Sequence, residues 1–350
     1  MSWVKTMLTP DTVLPIVITI SQLTHDTKGG ARMAIVTDVA RARRTANAST
    51  LALAVASAAA FGTSGPFIKP LLQAGWSPSA AVAVRAGGAA VVLLIPAIIA
   101  LGGRYRMLLA RWRLILAYGI VAVAATQLFY FAAIERLPVG VALLLEYSAP
   151  VLLVLLAWAR TRIRPAILTV CGAVLSIAGL ALVVQPSSGG HLDLLGVLFG
   201  FGAAIGVAGY FLLSARPTGE LPTVVLVCAG LLVASIVLLG VGASGLLPLR
   251  FSFEPVSLLG FENVWWGAPM LVVIVIATAF AYFSGILATA RLGSRLASFV
   301  GLLEVLFAVL IAWWLLGEVP TVLQGVGGAL IIAGIVLVRL EQRPTIDAVE

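Results

Sequence analysis

Residues 140–158 read Gly-Val-Ala-Leu-Leu-Leu-Glu-Tyr-Ser-Ala-Pro-Val-Leu-Leu-Val-Leu-Leu-Ala-Trp, an apolar run long enough to cross a bilayer, with one carboxylate, Glu146, well inside it. The pattern returns 158 residues later: Leu144, Leu145, Glu146, Val151 and Leu152 recur as Leu302, Leu303, Glu304, Val309 and Leu310. A second register, offset by 155, pairs Gly172-Ala-Val-Leu-Ser-Ile-Ala-Gly179 with Gly327-Gly-Ala-Leu-Ile-Ile-Ala-Gly334. A chain built this way is a duplicated membrane unit whose copies each carry a carboxylate at the same place.

Composition agrees. With 61% hydrophobic residues, 10% charged residues and a mean hydropathy of +1.12, the chain has too little polar surface for a soluble domain. The net charge of +8 does not point to nucleic acid, because the arginines fall in short clusters between apolar spans instead of forming a basic patch. Cys171 and Cys228 lie inside spans and read as packing, while His25 and His191 lie outside them. No metal centre or cofactor is expected from that inventory.

A ~20-residue criterion gives ten spans: 50–68, 77–101, 112–133, 138–158, 165–184, 194–213, 222–247, 266–290, 296–316 and 321–339. Residues 1–49 are expected to be a disordered cytoplasmic tail, with 1–32 a disordered or spurious extension and Met33 an alternative start. Residues 50–184 form the first repeat, 194–340 the second and 341–350 a cytoplasmic tail. Alternate loops hold Arg104, Arg106, Arg111 and Arg113, then Arg160, Arg162 and Arg164, then Arg216, then Arg291 and Arg295. The intervening loops hold only Lys69, Arg136 and Arg250, so both termini are expected in the cytoplasm of a multi-pass inner or plasma membrane protein. Five spans per copy is an odd number, which inverts the second copy relative to the first. The expected fold is an all-α membrane protein of ten transmembrane helices in two inverted five-helix repeats.

Three ionisable residues lie deep. Arg85 and Glu146 sit roughly 12 Å from one face and Glu304 roughly 13 Å from the other, at 1.5 Å per residue. A charge there costs roughly 2.5 to 3.5 kcal/mol on insertion scales, so it must be paired, hydrated or useful. A structural Arg85–Glu146 pair is one reading, but it leaves Glu304 unmatched. Small residues share a helix face with each of the three, and Pro150 cannot donate to the Glu146 carbonyl, which leaves a carboxylate and a carbonyl at one level for an ammonium group or a proton. Pro66 frees the carbonyl of Gly62 in the same way, next to Ser64. Gln127, Tyr130, Tyr147 and Tyr282 are the further polar or amphipathic groups singled out as substrate-binding candidates.

The run Gly62-Thr-Ser-Gly65 matches the Gly-x-Ser-Gly pattern of rhomboid-type intramembrane proteases, but its serine needs a histidine base on a neighbouring span, and no span has one. A phosphate-cradling Gly-rich loop followed by Lys and an Asp-rich diphosphate motif are also missing from the sequence. A membrane-embedded enzyme or a non-transporting receptor remains the alternative class.

Arg85, the segment Leu-Leu-Leu-Glu146-Tyr-Ser-Ala-Pro150, and Leu-Leu-Glu304-Val-Leu-Phe-Ala-Val-Leu-Ile-Ala-Trp-Trp-Leu-Leu-Gly317-Glu318 resemble the drug/metabolite transporter superfamily, in its ten-helix branch of two EamA-type domains. The resemblance spans about residues 50–340. Val305 stands where proline commonly follows the late glutamate, and Arg160 occupies the first-repeat position that corresponds to Glu318. The resemblance implies secondary transport of a small metabolite, frequently export of amino acids or related compounds, with possible proton coupling and no organic cofactor. The partners it implies are a small-molecule substrate and the lipid bilayer.

Overall fold

The computed structural model describes residues 48–134, 136–137, 139–184, 193–258, 260–316 and 319–341. The expectations for residues 1–47, for His191 and Glu318 and for the tail beyond Glu341 fall outside them. Ten helices among the described residues are long and apolar enough to cross a membrane. They are numbered here α1 Ala48–Gln73, α2 Pro78–Leu101, α3 Trp112–Tyr130, α4 Ala142–Thr161, α5 Ile167–Val184, α6 Leu194–Ser214, α7 Thr223–Ala243, α8 Gly267–Leu292, α9 Ser294–Leu315 and α10 Val322–Glu341. All ten expected spans have their counterpart, with ends shifted by a few residues.

Local chemistry sets several of those ends. The Ser77 hydroxyl accepts from the Ala80 amide and Pro78 occupies the first turn of α2, where no N–H is needed; Gly102 closes the helix at φ 56°. Asp193 caps α6 by accepting from the amides of Leu195, at 2.7 Å, and Gly196. Gly293 turns α8 into α9 at φ 79°, a backbone conformation that side chains disfavour.

Helix pairing follows the duplication. On α5 and α10, a Cβ built on Gly172 meets Gly334 and one built on Gly179 meets Gly327, so numbers rise along one helix as they fall along the other. On α2 and α7 the Ser235 hydroxyl donates to the Ala83 carbonyl and the Cys228 thiol to that of Ala90, again antiparallel. These two pairs of equivalent helices therefore run in opposite directions, which fits an inverted repeat. Glycine permits the contact: the four glycines of the α5–α10 crossing are buried and bring backbone against backbone.

Two large apolar clusters result, beside two smaller ones. One joins α2, α3 and α7 with parts of α6 and α8, around Tyr118, Leu226 and Leu231. The other joins α1, α4, α5, α9 and α10, around Leu180, Phe299 and Ile331.

Three features were not foreseen. The connection from α7 to α8 carries a short antiparallel hairpin, β1 Val256–Leu258 with β2 Phe261–Val264. Its approach segment is held down where Trp76 Nε1 donates to the Ser252 carbonyl and the Ser77 amide to that of Arg250, at 3.0 Å. In α3 and α8, which are equivalent helices, a π-helical segment interrupts the α-helix at Tyr118–Ala125 and Val275–Phe280. A threonine hydroxyl bridges back five residues at each, Thr126 to the Val121 carbonyl at 3.0 Å and Thr278 to that of Val273 at 2.8 Å. Single π-turns inside α-helices are frequent at functional sites.

Candidate functional site

Helices α1, α4 and α9 are each broken near mid-span. In α1, the helix over 48–62 stops at Thr63, whose hydroxyl donates to the Ala60 carbonyl at 2.6 Å, and resumes as Ser64–Gln73. Pro66 supplies no N–H to the Gly62 carbonyl. At α4, the helix Val139–Glu146, which begins three residues before the span, gives way at Tyr147 and Ser148 to Ala149–Thr161. The Ser148 hydroxyl donates to the Leu145 carbonyl at 2.6 Å, and Pro150 leaves the Glu146 carbonyl without its usual partner. In α9, Ser294–Gly301 and Leu303–Leu316 meet at Leu302. The amides of Leu302 and Val305 there bond carbonyls three residues back, at 3.1 and 3.2 Å. This break needs no proline, so the absence of one after Glu304 leaves the helix interrupted all the same.

The interruptions meet across the bundle. A Cβ on Gly62 would lie 2.9 Å from the Glu304 carbonyl and 2.8 Å from Phe307, so only glycine lets α1 approach α9 there. In the other copy, Gly200 of α6 presses on Leu145, the residue before Glu146. Each glutamate-bearing break is thus braced by a glycine on the first helix of the opposite repeat.

Between the breaks lies a cavity of about 400 Å³. All eight residues singled out from the sequence line it: Ser64, Arg85, Gln127, Tyr130, Glu146, Tyr147, Tyr282 and Glu304. Arg85 is 8% exposed and donates from Nη1 to the Ser64 hydroxyl at 2.7 Å. Neither glutamate lies within ion-pair distance of it, so the structural Arg85–Glu146 bridge is not formed. The two carboxyl groups and the guanidinium do face one cavity closely enough to interact through space, and the Tyr147 hydroxyl sits beside the Glu304 carboxyl. Ser64 is engaged as an acceptor for the arginine.

Sequence reasoning passed over Tyr210, which lines the cavity beside Tyr282 with ring centroids 5.8 Å apart. Tyr282 also meets Phe61 edge to face at 4.9 Å, and Tyr118 stands behind Tyr210 at 6.0 Å. The test that picked out Tyr282, an amphipathic aromatic deep in a span, applies equally to Tyr210. Thr126, at the end of the π-helical segment of α3, also lines the wall and was not foreseen, because its spacing from Gln127 gives no separate signal.

Ten crossing helices from a duplicated unit, enclosing a mainly apolar cavity that holds two carboxyl groups and a guanidinium and is built on interrupted helices, define a polytopic membrane transporter. The chain belongs to the EamA-like transporter family, which matches residues 48–185 and again 194–340. It is 27% identical over 224 residues to the uncharacterized transporter YwfM of Bacillus subtilis (strain 168), covering 64% of this chain and 72% of that one. It is 29% identical over 209 residues to an uncharacterized transporter of Archaeoglobus fulgidus, covering 59% and 70%. A solved crystal structure with a TM-score of 0.66 covers 85% of this chain and 98% of its own at 19% identity, and shows the shared fold.

Proposed function

We propose that the protein is a secondary transporter that exports a small metabolite, such as an amino acid or a related compound, by alternating access around the central cavity. The observation that carries this reading is the meeting of Arg85, Glu146 and Glu304 in one cavity lined by breaks in α1, α4 and α9. A zwitterion satisfies the set, its carboxylate toward Arg85 and its ammonium toward Glu146 or Glu304; a cationic compound suits the two glutamates. Tyr147, Tyr130, Tyr282, Gln127 and Ser64 supply hydrogen bonds and apolar faces around it. An apolar wall disfavours an uncompensated charge, so the protonation of Glu146 responds to what occupies the cavity, which is what exchange of protons for substrate requires. No cofactor enters the scheme.

The arginine-rich end of the bundle is assigned to the cytoplasm of the cell membrane, and both termini with it, on the loop charge bias. Cysteines at positions 104 and 254 therefore label from opposite sides of sealed cells.

The test is a panel of zwitterionic, cationic and anionic metabolites presented to purified protein in liposomes, with a pH gradient imposed and then collapsed by a protonophore. At least one zwitterionic or cationic compound moves, severalfold faster with the gradient than without it. Movement of none, or a rate indifferent to the gradient, contradicts the reading.

A further inference from the structure

A second cavity, of about 660 Å³, lies along four of the helices that line the first, with no lining residue in common. Helix α4 gives Pro150 to the central cavity and Leu153 to the second; α6 gives Phe211 and then Leu212; α8 gives Thr289 and then Leu292. Helix α9, running the other way, gives Ser298 and then Arg295. On each of the four helices the step is toward the arginine-rich end, so the second cavity continues the first in that direction. A small apolar cluster separates them: buried Ala149, Leu153 and Ala208, with Phe211 and Leu212 packed on it.

The chemistry of the second cavity differs from that of the first. Its charged residues are Arg160, in the last turn of α4, Arg295, in the first turn of α9, and Glu341, at the end of α10. Glu341 is already engaged, by Arg295 at 3.6 Å and by the Thr169 hydroxyl. Arg160 has no carboxylate within ion-pair distance among the described residues. Two guanidinium groups and one carboxylate, which pairs with Arg295 alone, leave net positive charge over an apolar wall of Leu153, Leu156 and Leu212. A bidentate guanidinium fork fits a carboxylate, and the leucines fit an apolar body.

The geometry points to a second substrate station: a vestibule where Arg160 and Arg295 hold the carboxylate of a small amphipathic metabolite before it passes the Leu153–Phe211 plug to the central cavity. This rests on the transporter reading and adds to it an anionic group on the substrate and a separate place that recognises it. The central site then reads the rest of the molecule. Passage requires the plug to part, and the Arg295–Glu341 contact ties the α9 half-helix to α10 beside it.

The experiment needs no transport. Leu156→Cys is placed in a Cys171→Ser, Cys228→Ser background, with Leu212→Cys as a second reporter. The purified protein is reacted in detergent with a sulfonate-bearing and a trimethylammonium-bearing methanethiosulfonate. Against the exposed reference Ser244→Cys, the anionic reagent is favoured about tenfold in the vestibule, the scale of field focusing in a charged cleft. Arg160→Gln together with Arg295→Gln returns the ratio to that of the reference, and Arg160→Gln alone lowers it. Octanoate slows labelling of the arginine-containing protein; octyltrimethylammonium does not. A ratio near that of the reference with both arginines present, or one that survives both substitutions, overturns the proposal. So does protection by phosphatidylglycerol nanodiscs without protection by octanoate, which reassigns the site to a lipid headgroup. If the charge preference holds while the liposome panel moves nothing, the transporter reading fails and the anion site stands.

Discussion

Transport by Glu146→Gln falls to the level of empty liposomes, and any residual movement no longer follows the pH gradient. The amide keeps the size and hydrogen-bonding reach of the carboxyl and removes only its charge and its titration. Glu146 closes the first half of α4, at a break where Pro150 removes the carbonyl's usual partner, and it shares its cavity with Arg85 and Glu304. In the proposed exchange, Glu146 alternates between meeting a substrate ammonium and carrying a proton, and the amide does neither. Arg85→Met is expected to fail as well, for a different reason: it removes the guanidinium that Ser64 holds in place at 2.7 Å, and with it the receiver of a substrate carboxylate. The comparison is made at matched expression, with size-exclusion profiles showing that both variants fold. Glu318→Gln, outside the described residues, remains active as a span-end control. Wild-type rate and wild-type pH dependence in Glu146→Gln would return that residue to a structural role.

Gly179→Leu is expected to be strongly destabilising without touching the cavity. A Cβ at Gly179 would lie 2.5 Å from the Gly327 carbonyl oxygen and 2.8 Å from the Ile331 amide, both backbone atoms of α10 that no rotamer change can move aside. Its counterpart Gly327 meets the Gly179 carbonyl at the same 2.5 Å. Overpacking a well-fitted site costs about 1 to 3 kcal/mol, and displacing a helix backbone belongs at the top of that range or above it. Gly325→Leu, on the facing helix α10 with nothing near its Cβ, is the control. Thermal melting in detergent reads the difference. A Gly179→Leu midpoint within error of the Gly325→Leu value would mean that α5 and α10 do not depend on this crossing.

Much of this was legible before any coordinates. Ten long apolar runs leave a membrane bundle as their outcome, because a buried backbone in lipid must satisfy its own hydrogen bonds. The repeated Leu-Leu-Glu and Gly-x6-Gly patterns marked both the carboxylates and the glycines of the α5–α10 crossing. Depth alone grouped Arg85, Glu146 and Glu304, since a charge in mid-span has to be compensated or used. Other features had no local signal. The break at Leu302 has no proline to announce it, and the π-helical segments of α3 and α8 go with threonine bonds to carbonyls five residues back that no sequence spacing marks. The hairpin between α7 and α8 rests on tertiary contacts with Trp76 and Ser77. The sequence paired Arg85 with Glu146 or with a substrate carboxylate and did not foresee its bond to Ser64, which forms because the break of α1 lies beside α2.

The central claim is that one cavity faces the two sides of the membrane in turn. Ala122, 4% exposed in the cavity wall, offers a position for a cysteine that disturbs neither the charged groups nor the breaks. Ala122→Cys, in a background free of other cysteines, is exposed in sealed vesicles to an impermeant thiol reagent supplied outside only or inside only. Arg104→Cys and Glu254→Cys mark the two faces. The account predicts that Ala122→Cys reacts from either side, that a transported compound changes the two rates in opposite directions, and that the two reference positions each react from one side alone. Reaction of Ala122→Cys from a single side, with and without the compound, would contradict it.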